Sequence, residues 1–171
     1  AVNAAPVLGF LNNVYEGLVR RGKDMAVEAA LATSFEPIGE NGGEGWRFNL
    51  REGVTFHDGA AFTAEDVLFS YERASSEEAD TSSWFAPVSR VEVVDDFTID
   101  FYTSAPNPLF PGSIANFMIL DKGWAEANSA ERPTKDSENF ATLNANGTGA
   151  FVLAERQPGL KTVLEPFDGW W

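Results

Sequence analysis

Trp46-Arg47-Phe48-Asn49-Leu50-Arg51-Glu52-Gly53-Val54-Thr55-Phe56-His57-Asp58-Gly59 is the stretch on which the reading of this chain turns. In its first half Trp46, Phe48 and Leu50 alternate with Arg47, Asn49 and Arg51, the period of two that marks a half-buried strand. The Gly-rich segment ahead of it, residues 39–45, makes that strand the second arm of a hairpin entered from residues 26–35. Its second half closes on the turn His57-Asp58-Gly59, and Thr63-Ala64-Glu65-Asp66 follows. Thr63 can accept from the amide three residues on, and the two acids suit a helix N-terminus. The spacing therefore predicts a helix over residues 64–74, with Val67, Leu68, Tyr71 and Ala74 on a core-facing stripe and Glu72 and Arg73 in water.

Outward from this stretch the same two periods recur. Residues 75–83 are polar and acidic and read as a surface loop. A second hairpin follows, with Val91 and Val93 on one arm, Asp95-Asp96 at the turn and Phe97, Ile99 and Phe101 on the other, ended by Pro106, Pro108 and Pro111. Residues 117–120 are a short apolar run, and residues 122–128 read as one or two helical turns. A third hairpin places Phe151 and Leu153 opposite Val163 across Gln157-Pro158-Gly159. Toward the N-terminus, Val14, Leu18 and Val19 suggest a short helix over residues 13–20. The sum is a mixed α and β chain with largely antiparallel sheets, one domain by default and no fixed-period repeat.

Composition narrows what such a domain can do. With 171 residues, 44% of them hydrophobic and 13% aromatic, the chain can bury a core, and disorder is excluded. A net charge of −14 repels phosphate backbones and anionic headgroups, which sets nucleic acid and membrane surfaces aside as partners. With no Cys there is no thiolate nucleophile, thiolate zinc site or disulfide, although cysteine usage leaves the compartment open. Every apolar run is far too short to span a bilayer. Ala1-Val2-Asn3-Ala4-Ala5-Pro6 has no basic, apolar leader character, and the terminal Phe167-Asp168-Gly169-Trp170-Trp171 leaves two large aromatics without cover, so an excised piece is expected.

The constellations that could carry chemistry are sparse. His57 beside Asp58 could serve as a general base or a metal ligand, but it is the one His in the chain and has no partner at ligand spacing, which favours a structural turn. Ser113 follows Gly112 without the rest of a nucleophile-elbow frame. Gly147-Thr148-Gly149 has neither a third glycine nor a Lys-Ser/Thr, so it reads as a tight turn rather than a phosphate cradle, and Asn146-Gly147-Thr148 also fits a glycosylation acceptor pattern. Glu65 with Asp66 and Asp95 with Asp96 are a helix start and a hairpin turn before they are acid/base pairs. Trp84 and Phe85 stand where no helix or strand period requires them, as a ligand-facing pair or as packing beneath the acidic loop.

The 46–59 stretch, followed by Phe62-Thr63-Ala64-Glu65-Asp66-Val67, resembles the signature of the bacterial extracellular solute-binding proteins of the peptide, dipeptide and nickel class, family 5, which serve ATP-binding-cassette importers. Val14-Tyr15-Glu16-Gly17-Leu18-Val19, Val91-Glu92-Val93-Val94-Asp95-Asp96 and Gly147-Thr148-Gly149-Ala150-Phe151 fall in the family's order, with Ala150 where Pro is commoner. The resemblance implies an α+β fold of the type II periplasmic-binding-protein kind, of which this chain represents only part of the first lobe. It implies residues 1–44 as incomplete core lobe, 45–145 as a peripheral subdomain and 146–171 as the return to the core, with the second lobe absent. It implies a non-enzymatic, periplasmic or lipid-anchored protein, monomeric at full length, that captures a peptide or other small solute for permease subunits without a cofactor or metal. By the same likeness, the extended stretch Asn3, Ala4 and Ala5 offers backbone groups to the ligand, and Trp84 and Phe85 line the cleft. The rival is a small carbohydrate-active enzyme or carbohydrate-binding module, with two acids as its chemistry and Trp84 as a sugar platform.

Overall fold

The computed structural model describes residues 5–40, 43–134 and 138–171. In chain order the elements are α1 (Ala5–Val14), β1 (Val19–Arg21), β2 (Val27–Ala29), β3 (Ala32–Ile38), β4 (Gly45–Leu50), α2 (Ala64–Ser75), a 3-10 turn (Ser82–Phe85), β5 (Val88–Asp95), β6 (Thr98–Thr103), α3 (Phe110–Ser113), α4 (Lys122–Ala127), α5 (Phe140–Leu143), β7 (Phe151–Gln157) and β8 (Lys161–Pro166). They build a four-stranded sheet ordered β3-β4-β6-β5 and two two-stranded sheets, β1-β2 and β7-β8, with every paired strand antiparallel.

Alternation decides which face of the large sheet is buried. Register sets Phe48 opposite Ile99 and Trp46 opposite Phe101, and β5 adds Val93 beside Ile99 and Val91 beside Phe101. Phe48, Ile99 and Phe101 are fully buried on this face, where Phe101 meets Phe48 at 5.6 Å, Tyr71 of α2 at 5.7 Å and Phe110 of α3 at 5.7 Å. Edge-to-face and tilted rings at such separations add to the area they bury. The residues between them face the other way, and there Arg47 clamps Asp100 with two hydrogen bonds of 2.8 and 2.7 Å. Asp100 is itself buried, so the pair satisfies a carboxylate that burial would otherwise penalise.

Helix α2 begins where its sequence signals place it. The Asp66 carboxylate reaches back to accept from the Thr63 N–H at 2.9 Å, and its second oxygen accepts from the Lys122 N–H at 3.0 Å, which ties α2 to the start of α4. Ser70 repeats the tie, donating to the Leu120 carbonyl and accepting from the Leu120 N–H at 2.9 Å. Phe110, Ile114, Phe117 and Ile119 lie in one core with Leu18, Val19, Leu31 and the sheet, and Val67 of α2 belongs to the same core.

The structure departs from the sequence expectations in two places. Residues 13–20 are not a helix: α1 ends at Val14, Gly17 bridges Met118, and Val19 to Arg21 pair with β2. A Cβ on Gly17 would lie 2.7 Å from the Phe117 carbonyl, and the Leu18 carbonyl accepts from both Ala30 and Ala32, so strand pairing uses the backbone that a helix would need. β3 pairs along its length with β4 and so lies in the same sheet. Finally, Phe97 sits in the turn, its N–H held by Asp95 Oδ1 at 2.9 Å, and β6 starts one residue later.

Candidate functional site

Asn3 and Ala4 lie outside the described residues. Ala5 opens α1, so the extended backbone expected there is helical from Ala5 onward. Trp84 and Phe85 belong to the 3-10 turn, and their environments differ. Phe85 is 3% exposed and stands edge-on to Tyr71 at 5.2 Å and Phe117 at 5.0 Å, which makes its ring part of the core beneath α2. Trp84 is half-buried against that core and keeps surface accessible to water.

A second constellation, unseen in the sequence, forms where residues 146–149 cross the exit of α1. The Gly149 N–H donates to the Val14 carbonyl at 2.9 Å. A Cβ on Gly147 would lie 2.0 Å from the Val14 oxygen and one on Gly149 2.5 Å from the Asn13 oxygen, so both positions must be glycine for the two backbones to touch. That contact is the purpose of the Gly-Thr-Gly motif, in place of the tight turn expected of it. Thr148 between them is fully buried and donates to Glu16 Oε2 at 3.0 Å, and Trp171 Nε1 donates to the same oxygen at 3.0 Å. The Arg51 guanidinium covers the Trp171 ring at 4.1 Å, a cation–π contact.

Asn146 is the other anchor. Its Nδ2 donates to Asp121 Oδ2 at 2.9 Å and its Oδ1 accepts from the Asp58 N–H at 3.1 Å. At 2% exposure it is enclosed, so the acceptor pattern it heads is a structural contact here. Asp121 in turn caps α4 by accepting from the Trp124 N–H at 3.0 Å. His57 completes the crossing: its N–H donates to the Gly147 carbonyl at 2.9 Å, its Nε2 stands 2.9 Å from the Gly149 carbonyl, and its ring meets Phe167 at 4.9 Å.

Burial governs the electrostatics of this crossing. It raises the Glu16 carboxyl above its ordinary value, against the hydrogen bonds from Thr148 and Trp171 and the charge of Arg20. It likewise raises Asp66, opposed by the Lys122 and Thr63 amides, and pushes the Tyr15 hydroxyl up to about 12. His57 is lowered, because burial disfavours the imidazolium more than the Gly149 carbonyl and Asp58 favour it.

The sequence-level candidates for chemistry find structural partners. Asp66 is spent on the α2 cap and Glu65 pairs with Lys122 at 3.2 Å on the surface. Asp95 holds a turn amide, and Ser113 Oγ donates to the Phe110 carbonyl at 2.7 Å. Among the described residues no group of three His, Asp or Glu is placed to hold a metal ion, and no helix is long and apolar enough to cross a membrane. The anchoring roles of Glu16, Asp121, Asn146 and Thr148 escaped sequence reasoning; a glycine on each side of a small polar residue was the one local sign of a close backbone crossing.

Residues 26–171 match the family model described as bacterial extracellular solute-binding proteins, family 5 Middle. The periplasmic murein peptide-binding protein MppA of Escherichia coli is 25% identical, with 97% of this chain matched to 33% of the relative. The dipeptide-binding protein of Escherichia coli is 31% identical over 75% of this chain and 27% of its own length. Among solved structures, the oligopeptide-binding protein AppA of Bacillus subtilis, in complex with a nonapeptide, superposes with a TM-score of 0.85 at 24% identity, over 98% of this chain and 33% of that one. The chain thus spans about a third of the length of the curated relative MppA. The fold is that of type II periplasmic binding proteins, mixed in helix and sheet with antiparallel pairing.

Proposed function

The chain belongs to the bacterial extracellular solute-binding proteins, family 5, and we propose that it forms part of one lobe of a substrate-capture protein for an ATP-binding-cassette importer, with a peptide as the first-choice solute. The observation that carries this reading is the family match across residues 26–171, supported by relatives named for binding murein peptides and dipeptides. The members it resembles are binding proteins, and we extend that to this chain: it captures and releases a solute and makes or breaks no bond.

In this reading a ligand held between two lobes stabilises the closed form by contacts it makes only there, and permease subunits recognise that form. The sheet, α2 and the segments beneath it act as a rigid peripheral body, including β3, and residues 146–171 return toward the core lobe. Asn3 to Ala5 would contribute backbone groups and Trp84 an apolar face to the cleft, with Phe85 setting the position of Trp84 from within the core. The setting is periplasmic or lipid-anchored, and the whole protein a monomer without a cofactor. The carbohydrate-active alternative draws no support, since Glu65 and Asp66 are committed to a surface ion pair and a helix cap.

Calorimetric titration of the natural polypeptide that carries this chain tests the reading, with di- and oligopeptides, oligosaccharides and nickel in separate runs. Saturable binding of peptides is the expected result. Heat with none of these solutes would remove the basis for solute capture.

A further inference from the structure

His57 uses both ring nitrogens on the same short segment. A carbonyl oxygen only accepts, so the 2.9 Å contact with Gly149 O requires a proton on Nε2. Nδ1 accepts from the Gly147 N–H at 3.4 Å, which requires a lone pair there, so Nδ1 is the bare nitrogen. The His57 backbone N–H adds a third bond to the same segment, donating to Gly147 O at 2.9 Å. The imidazole is therefore fixed as one neutral tautomer by donor and acceptor groups that belong to the backbone and cannot exchange roles.

We propose that His57 is an acid-sensitive clasp on residues 147–149: a proton added at Nδ1 sets an N–H against the Gly147 N–H and releases this segment from the His57 turn. The segment is what holds the α1 exit, through Gly149 to Val14 and Thr148 to Glu16. Release would therefore loosen the join between the β7-β8 hairpin and the rest of the molecule. The device is independent of which solute the protein binds.

The charged groups around the clasp are Asp58 on the same turn, Glu16 beneath Thr148, and Asp121 with Asp66 behind Asn146. Glu16 and Asp66 are raised by burial, so acidification relieves them and stabilises the closed form, opposite in sign to the clasp. His57 is lowered, so its contribution is complete above the ordinary value of 6.5 and is lost as pH falls from there through the folded-state value.

The test is nitrogen-15 NMR on the full 171-residue chain, in which His57 is the one histidine. At pH 7.5 the ring nitrogens should report the Nε2–H tautomer alone, and the exchange-derived opening constant of the Gly147 and Gly149 amides should rise by up to about tenfold per pH unit below 6.5 until the folded-state value is passed. In His57→Gln, which can donate to Gly149 O but does not titrate, that rise should vanish. An Nδ1–H or averaged tautomer, an opening constant flat with pH, or the same rise in His57→Gln would each overturn the clasp. Should the variant fail to fold, the tautomer and the pH series of the unaltered chain still decide the matter.

Discussion

Two regions of this molecule are held together by different physics. Around Phe101, side chains of the sheet, α2 and α3 exclude water by volume, and ring contacts set the geometry. Around Gly147, the chain is held by backbone contact, glycines without room for a methyl group, and single hydrogen bonds from Asn146, Thr148 and His57. The first kind of region loses stability in proportion to the volume removed. The second loses it when one atom is added or one partner is deleted.

The largest expected effect probes the first region: Phe101→Ala should cost about 4 kcal/mol in urea unfolding, since it empties the meeting point of three rings. A loss near 1 kcal/mol would mean that the core collapses into the gap and is less tightly packed than it looks. In the second region Gly147→Ala should cost about 3 kcal/mol although it adds one carbon, because the Val14 carbonyl stands where the Cβ must go. A neutral outcome there would erase the contrast. Asn146→Ala should cost about 2 kcal/mol by leaving Asp121 Oδ2 and the Asp58 N–H without their partner, and a calorimetric melt of the variant measures it. The smallest change is Glu65→Gln: its pair with Lys122 is exposed on both sides, so stability should move by no more than about 0.5 kcal/mol. Glycosidase activity lost in that variant would revive the enzymatic alternative.

These regions also differ in how far they could be read from the chain alone. Period-two alternation located β4 and β6, and the Thr63 to Asp66 start located α2, because each pattern follows from one face being buried within a few residues of chain. The same reasoning failed over residues 13–20, where Val14 and Leu18 are buried whether the backbone is helix or strand, so periodicity could not separate the two. Trp84 and Phe85 were singled out as a pair, yet one ring is in the core and the other at its edge. Which neighbour faces inward at a 3-10 turn depends on Tyr71 and Phe117, residues on other segments.

By itself the sequence determined the family, the antiparallel hairpins, the main helix and the absence of thiol chemistry, because alternation, helix-start residues and composition act over short stretches of chain. The tertiary structure alone decided that Gly147 and Gly149 serve a backbone crossing, that Glu16 is a half-buried anchor and Asn146 a buried one, and that His57 is bound at both nitrogens. Those contacts join residues far apart in the chain, 90 positions for His57 with Gly147 and 132 for Glu16 with Thr148, and nothing in local spacing reports which distant backbone a polar side chain will meet.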